Sequence, residues 1–129
     1  MKEPIWVLDK VVQAVHSRLL VEHGGPEGVR EKDLLSSALS RPKQKWSYDE
    51  NASIFLLAAA YSYGIANNHP FVDGNKRTAF ATGVVFLELN GFKFRAEEVD
   101  AAITFEKVAG GEISEDELSA WFEKNSAKD

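Results

Sequence analysis

Residues 54–66, IFLLAAAYSYGIA, contain no charged side chain. A helix apolar nearly all round cannot lie on a surface, so this segment predicts a helix at the centre of the fold, over residues 50–66. Its apolar run is about a dozen residues, short of the ~20 that a membrane span needs. The chain must therefore wrap its other elements around it. The next stretch is equally constraining. Residues 67–80, NNHPFVDGNKRTAF, hold a histidine, an aspartate, an Asp-Gly turn and a Lys-Arg pair, and an apolar segment comes after them. Polar chemistry between two segments built for burial asks for an explanation.

The rest of the chain supplies the wrapping. "PIWVL" reads as short and extended. From Asp9, Val11, Val12, Val15, Leu19 and Leu20 recur at helical spacing, and Gly24-Gly25-Pro26 ends that helix. Leu34, Leu35, Ala38 and Leu39 give a second short helix that Pro42 stops, leaving 41–49, RPKQKWSYD, as an exposed loop. A fourth helix is predicted over 75–89, stopped at Asn90-Gly91. "FKFR" alternates apolar and basic, as a very short strand or an extended link does. Residues 97–109 make a fifth helix closed by Gly110-Gly111, and Ser114-Glu115-Asp116-Glu117 opens the last with a capping box. There Leu118, Trp121 and Phe122 face the core. The expectation is an all-α fold of about six helices in one domain over residues 1–129.

Charge and composition narrow the function. The net charge is −5, which disfavours direct nucleic acid binding, since such domains are usually basic. There is no cysteine, so thiolate chemistry and disulfides are excluded, in keeping with a cytoplasmic location. The N-terminus, MKEPIWVLDKVV, lacks a long apolar stretch and a small-residue cleavage site, so it does not read as a signal peptide.

The polar motif falls between the third and fourth helices. Asp73-Gly74 makes the turn, and Asn75, Lys76 and Arg77 begin the fourth helix. A helix N-terminus offers free N–H groups and a positive dipole end, so cations there are poor helix design unless an anion joins them. A phosphate chain would satisfy backbone N–H groups, the lysine and the arginine fork together. Asp73 beside that anion makes sense with Mg²⁺ between them. His69 carries an imidazole, the side chain best suited to proton transfer near neutral pH, and so suits a general base for a hydroxyl. Each feature has a plainer reading: a histidine before proline is commonly structural, Asp-Gly is an ordinary turn, and Lys-Arg is commonly solvated. Four of them within nine residues point to an anion or nucleotide site, and spacing alone stops there. Phe71 reads as a core anchor, His16 as a satisfied core histidine and His23 as a helix-end residue. The acidic run 115–117 reads as helix-start electrostatics.

"HPFVDGNKR" resembles the signature of the Fic/Doc family in its Doc (death-on-curing) branch. "EHGGPEGVREKDLLSSALSRP", "FLELNG" and "AGGEISEDELSAWF" also look like Doc segments. The resemblance implies a compact Fic-type helical bundle. It implies a transferase that uses a nucleoside triphosphate such as ATP to modify a protein hydroxyl. His69 matches the residue that activates the hydroxyl, and Asp73 the acidic position linked to Mg²⁺ and the histidine. Gly74, Asn75, Lys76 and Arg77 match the anion-binding loop. The branch's type member is a toxin kinase that phosphorylates a threonine of elongation factor Tu and halts translation, and a Phd-like antitoxin blocks it. Segment 41–49 falls where the family places a target-docking flap, so Trp46 and Tyr48 either contact the target or cap the edge of the core.

Two departures separate the reactions. Fic AMP transferases resemble HPFx(D/E)GNGRxxR. Here Lys76 replaces the second glycine and Phe80 the last arginine. Glycine lets backbone approach phosphates closely, whereas lysine crowds that space and adds charge. Both changes favour a nucleotide that offers its γ-phosphate, hence a kinase. An AMP transferase and an inactive, Fic-like binding module are the alternatives. The chain has no [S/T]-x-x-x-E-[G/N] inhibitory helix pattern, which fits inhibition by a separate antitoxin.

Overall fold

A computed structural model describes residues 2–129. The elements run α1 (Asp9–His23), α2 (Lys32–Tyr48), α3 (Ile54–Asn68), α4 (Asn75–Leu89), β1 (Phe92–Phe94), α5 (Glu98–Ala109), α6 (Glu115–Lys124) and β2 (Ser126–Lys128). The fold is all-α with six helices among the described residues, as expected. The "FKFR" segment is a strand: β1 pairs antiparallel with β2, Phe92 opposite Lys128 and Phe94 opposite Ser126.

The uncharged segment is central, and α4, α2 and α6 pack around it. Every residue of α3 from Leu57 to Ser62 and from Gly64 to Ala66 is buried. Ser53 caps its start by accepting the Leu56 N–H, so the helix begins at Ile54 rather than residue 50. Small residues let its neighbours approach. A Cβ at Gly83 of α4 would collide with Ser62 Oγ and lie 2.7 Å from the Phe122 ring. Ser62 in turn donates to the Ala79 carbonyl at 2.6 Å. The Tyr61 hydroxyl, fully buried, accepts the Val7 N–H at 3.0 Å and so ties the N-terminal segment to the core. Burial pushes this hydroxyl up to about 12, against the Val7 hydrogen bond, which lowers it.

Segment 41–49 corrects the sequence reading. Pro42 does not stop α2; the helix runs through it to Tyr48, and the expected loop is its second half. The reason is packing. Leu35, Ala38 and Pro42 form one buried stripe, and Ala38 lies against Gly64 so closely that a Cβ there would sit 3.2 Å from the Ala38 Cα. A proline inside a helix costs ~3 kcal/mol, and burial of this stripe offsets it. Trp46 is half-buried, edge-on to Trp6 at 6.2 Å, so it does cap the core edge. Tyr48 is 90% exposed. On α6 the capping box between Ser114 and Glu117 is present. Glu115 pairs with Arg41 and Lys45 of α2, which accounts for one acid of the run 115–117.

Candidate active site

The motif loop hangs between α3 and α4 and is held from three sides. Phe71 is buried at its centre. Its N–H donates to the Asn75 side-chain oxygen, and its carbonyl accepts from the Asn75 amide, both at 3.0 Å. The Asn75 side chain thus closes the loop onto the first turn of α4. On the second side, the His16 ring stacks on Phe71 at 3.8 Å and its Nε2 lies 2.7 Å from the Asp73 carbonyl oxygen. A carbonyl can only accept, so Nε2 carries a proton there. His16 is buried and satisfied, as its place in the apolar stripe of α1 predicts, and it also fixes the aspartate's main chain.

The third side is the glycine-rich strap before α2. Val72 N–H donates to the Gly28 carbonyl, and Arg30 N–H to the Pro70 carbonyl at 2.6 Å. Val29 and Phe71 form an isolated antiparallel bridge. Gly25 lies beside Asp73 with φ +121°, and a Cβ on it would sit 2.6 Å from Asp73 Oδ2. The positive φ favours glycine, whereas the carboxylate tip of the exposed Asp73 could give way to a methyl. The strap's role has no periodicity to reveal it; its only signals are three glycines and an arginine in "GGPEGVR".

His69 ends α3 in the left-handed conformation, φ 49° and ψ 55°. It is the one non-glycine residue with positive φ among the described residues. Such a residue is a strained exception that surrounding structure must hold in place, and these cluster at functional sites. The turn it makes places an exposed imidazole on the rim of a cleft.

The cleft has a volume of about 840 Å³, within the range of small-molecule sites. His69, Val72, Asp73, Gly74, Asn75, Lys76, Arg77 and Phe80 line one wall. All six residues proposed from sequence around the loop are therefore brought together; Trp46 and Tyr48 are not among its lining. Gly74 caps α4 with φ 78°. The N–H groups of Asn75, Lys76 and Arg77 then begin the helix, where no carbonyl four residues back is part of it. Arg77 is exposed and makes no ion pair among the described residues, whereas Lys76 pairs with Glu106. Asp73 accepts the Gly74 N–H with Oδ1 at 2.8 Å, and no cation of the chain pairs with it among the described residues. No three potential ligands cluster to cage a metal among those residues.

The opposite wall is α5, through Glu98, Ala101, Ala102, Phe105, Glu106 and Ala109. Sequence reasoning did not assign it to the site, since its contact with α4 is long-range. Phe80, at the position of the missing arginine, packs edge-on against Phe94 and Phe105.

A Fic/Doc family model matches residues 6–87, which include the strap, the loop and most of α4. The chain belongs to the Fic/Doc family, in its Doc branch. It is 39% identical over 84 residues to toxin Doc of Mycolicibacterium smegmatis, covering 64% of this chain and 65% of that protein. It is 31% identical over 101 residues to protein kinase doc of Escherichia phage P1, covering 78% and 79%. The chain thus spans just under two thirds of the first relative and about four fifths of the second. No helix among the described residues is long and apolar enough to cross a membrane.

Proposed function

We propose that this protein is a Doc-type toxin, a protein kinase that transfers the γ-phosphoryl group of ATP or a similar nucleoside triphosphate to a hydroxyl of a translation factor. The observation that carries the reading is Lys76 on the first turn of α4, lining the same cleft as the strained His69. In the reaction, the target oxygen attacks Pγ and its proton passes to the His69 imidazole. The O–Pγ bond forms, the bond from Pγ to the β-phosphate oxygen breaks, and the nucleoside diphosphate leaves. The free N–H groups of α4, with Lys76 and Arg77, hold the phosphates and take up the charge that develops on them. Asp73 fits a Mg²⁺ shared with phosphate oxygens: it is a carboxylate free of ion pairs, with no protein cage around it among the described residues. Such an ion, when bound, neutralises phosphate charge.

The names of the relatives support the toxin and kinase parts of this reading. The family resemblance supplies the target, elongation factor Tu, and a Phd-like antitoxin as the inhibitory partner. A protein that meets these two partners works in the cytoplasm. Of the two flap candidates, Tyr48 stands free to touch the target, while Trp46 is engaged with Trp6. The test adds purified protein, ATP and Mg²⁺ to a bacterial translation extract and follows protein synthesis. The wild type stops synthesis and His69→Ala does not. Equal inhibition by both would overturn the general-base role, and inhibition by neither would favour a binding module.

A further inference from the structure

We infer that Arg30 is a positioning residue: its guanidinium fixes the main chain of His69 and thereby aims the imidazole into the cleft. This rests on reading His69 as the base. Arg30 Nε donates to the His69 carbonyl at 2.9 Å, and an Nη donates to the Asn68 carbonyl at 3.2 Å. These are the last carbonyl of α3 and the one of its left-handed cap. They lie at the negative end of the helix dipole, where a cation is favoured. The planar fork reaches both acceptors at once in a fixed geometry, whereas a lysine ammonium is a single point charge on a flexible stem.

The rest of the loop does not need this help. From Pro70 onward, main-chain bonds to Gly28, Arg30 and Glu31 hold it, and Asn75 and His16 hold Phe71 and Asp73. Among the described residues, the carbonyls of Asn68 and His69 have Arg30 alone as hydrogen-bond partner. The left-handed backbone at His69 is costly for a non-glycine residue, so something must hold it. Arg30 meets that need from a strap already fastened to the next residue. Without it the peptide at position 69 can rotate while the loop on either side stays fixed. The imidazole then swings off the line toward the target hydroxyl. A displacement near 1 Å costs on the order of 100-fold in rate.

The test compares Arg30→Ala and Arg30→Lys with the wild type. It measures γ-labelled phosphate transfer at saturating and limiting nucleotide, together with ring ¹H–¹³C spectra of the three histidines. For Arg30→Ala we expect kcat to fall about 10- to 100-fold, with KM for the nucleotide within about twofold. The His69 ring signals should shift or double while those of His16 and His23 stay in place. Arg30→Lys, which keeps the charge and one bond, should fall between. If Arg30→Ala is too unstable to study, Arg30→Lys decides alone by the same signs. An unchanged kcat, or an unchanged His69 signal alongside a lost kcat, overturns the inference. So does movement of all three histidines together, which would mark a merely structural role. If the wild type transfers no phosphate, the kinase reading fails, while the ring spectra still decide whether Arg30 sets the position of His69.

Discussion

Replacing Asn75 by alanine removes both bonds that close the motif loop onto α4. The side chain accepts the Phe71 N–H and donates to the Phe71 carbonyl, each at 3.0 Å, and Phe71 is only 1% exposed. Both groups are part-buried beneath the Asn75 side chain and have no other partner in the protein among the described residues. Leaving one buried polar group unpaired costs about 1–3 kcal/mol. Two adjacent groups that relax together should cost about 2–4 kcal/mol, and for a chain of 129 residues each kcal/mol lowers Tm by roughly 4 °C. A fall of about 8–16 °C is therefore expected in a thermal melt. Asn75→Asp is the companion variant. It keeps the acceptor for the Phe71 N–H and adds a favourable charge at the start of α4, but turns an oxygen toward the Phe71 carbonyl, so its loss should be about half. Because the loop carries His69 and Asp73, Asn75→Ala should also lose most of its transfer activity at temperatures where it is still folded. A Tm within about 2 °C of the wild type would show that these two bonds do not hold the loop.

Three further outcomes are expected from the packing and the site. Lys76→Gly should reduce γ-phosphate transfer far more than stability, because the side chain is 45% exposed and its partner, Glu106, is exposed too; a large drop in Tm would contradict this. Gly83→Ala should destabilise by about 1–3 kcal/mol in denaturant unfolding, since the new methyl meets Ser62 and the Phe122 ring; a neutral effect would show that α3, α4 and α6 can part without cost. Tyr61 titrates at about 12 in the fold against 10.0 unfolded, so between those values the unfolded chain holds fewer protons. Its contribution, on the order of 2–3 kcal/mol, is present below pH 10 and lost as pH rises toward 12. Tyr61→Phe should lack that alkaline decline while costing about 1–3 kcal/mol at neutral pH, because the Val7 N–H loses its acceptor; parallel pH profiles for the two proteins would refute the assignment.

Much of the fold was legible because burial leaves a periodic trace. The uncharged stretch announced α3, the start and end of α4 fell at Asn75 and Leu89 as expected, and Ser114 to Glu117 marked α6 by its cap. Pro42 misled because local propensity argued for a stop, whereas the Ala38–Gly64 contact, invisible along the chain, keeps the helix going. The site divides in the same way. His69, Asp73 and Gly74 to Arg77 fall within nine residues, so a turn next to a helix start marked them as a candidate site, and the structure places them on one cleft wall. Arg30, Gly25 and the α5 wall act across long sequence distances and obey no spacing rule. His16 was recognisable as a core histidine, but only the structure shows that its ring proton is given to the Asp73 carbonyl.

The most direct test of the kinase reading labels ATP at one phosphate at a time. The protein, with Mg²⁺ and a bacterial translation extract, is incubated with ATP labelled at the γ-phosphate in one arm and at the α-phosphate in the other, each beside His69→Ala. A kinase built on His69 and Lys76 gives a labelled protein in the γ arm alone, near the size of elongation factor Tu and missing with His69→Ala. Label in the α arm alone would contradict that reading, and would mean that Lys76 tolerates the nucleotide orientation of an AMP transferase.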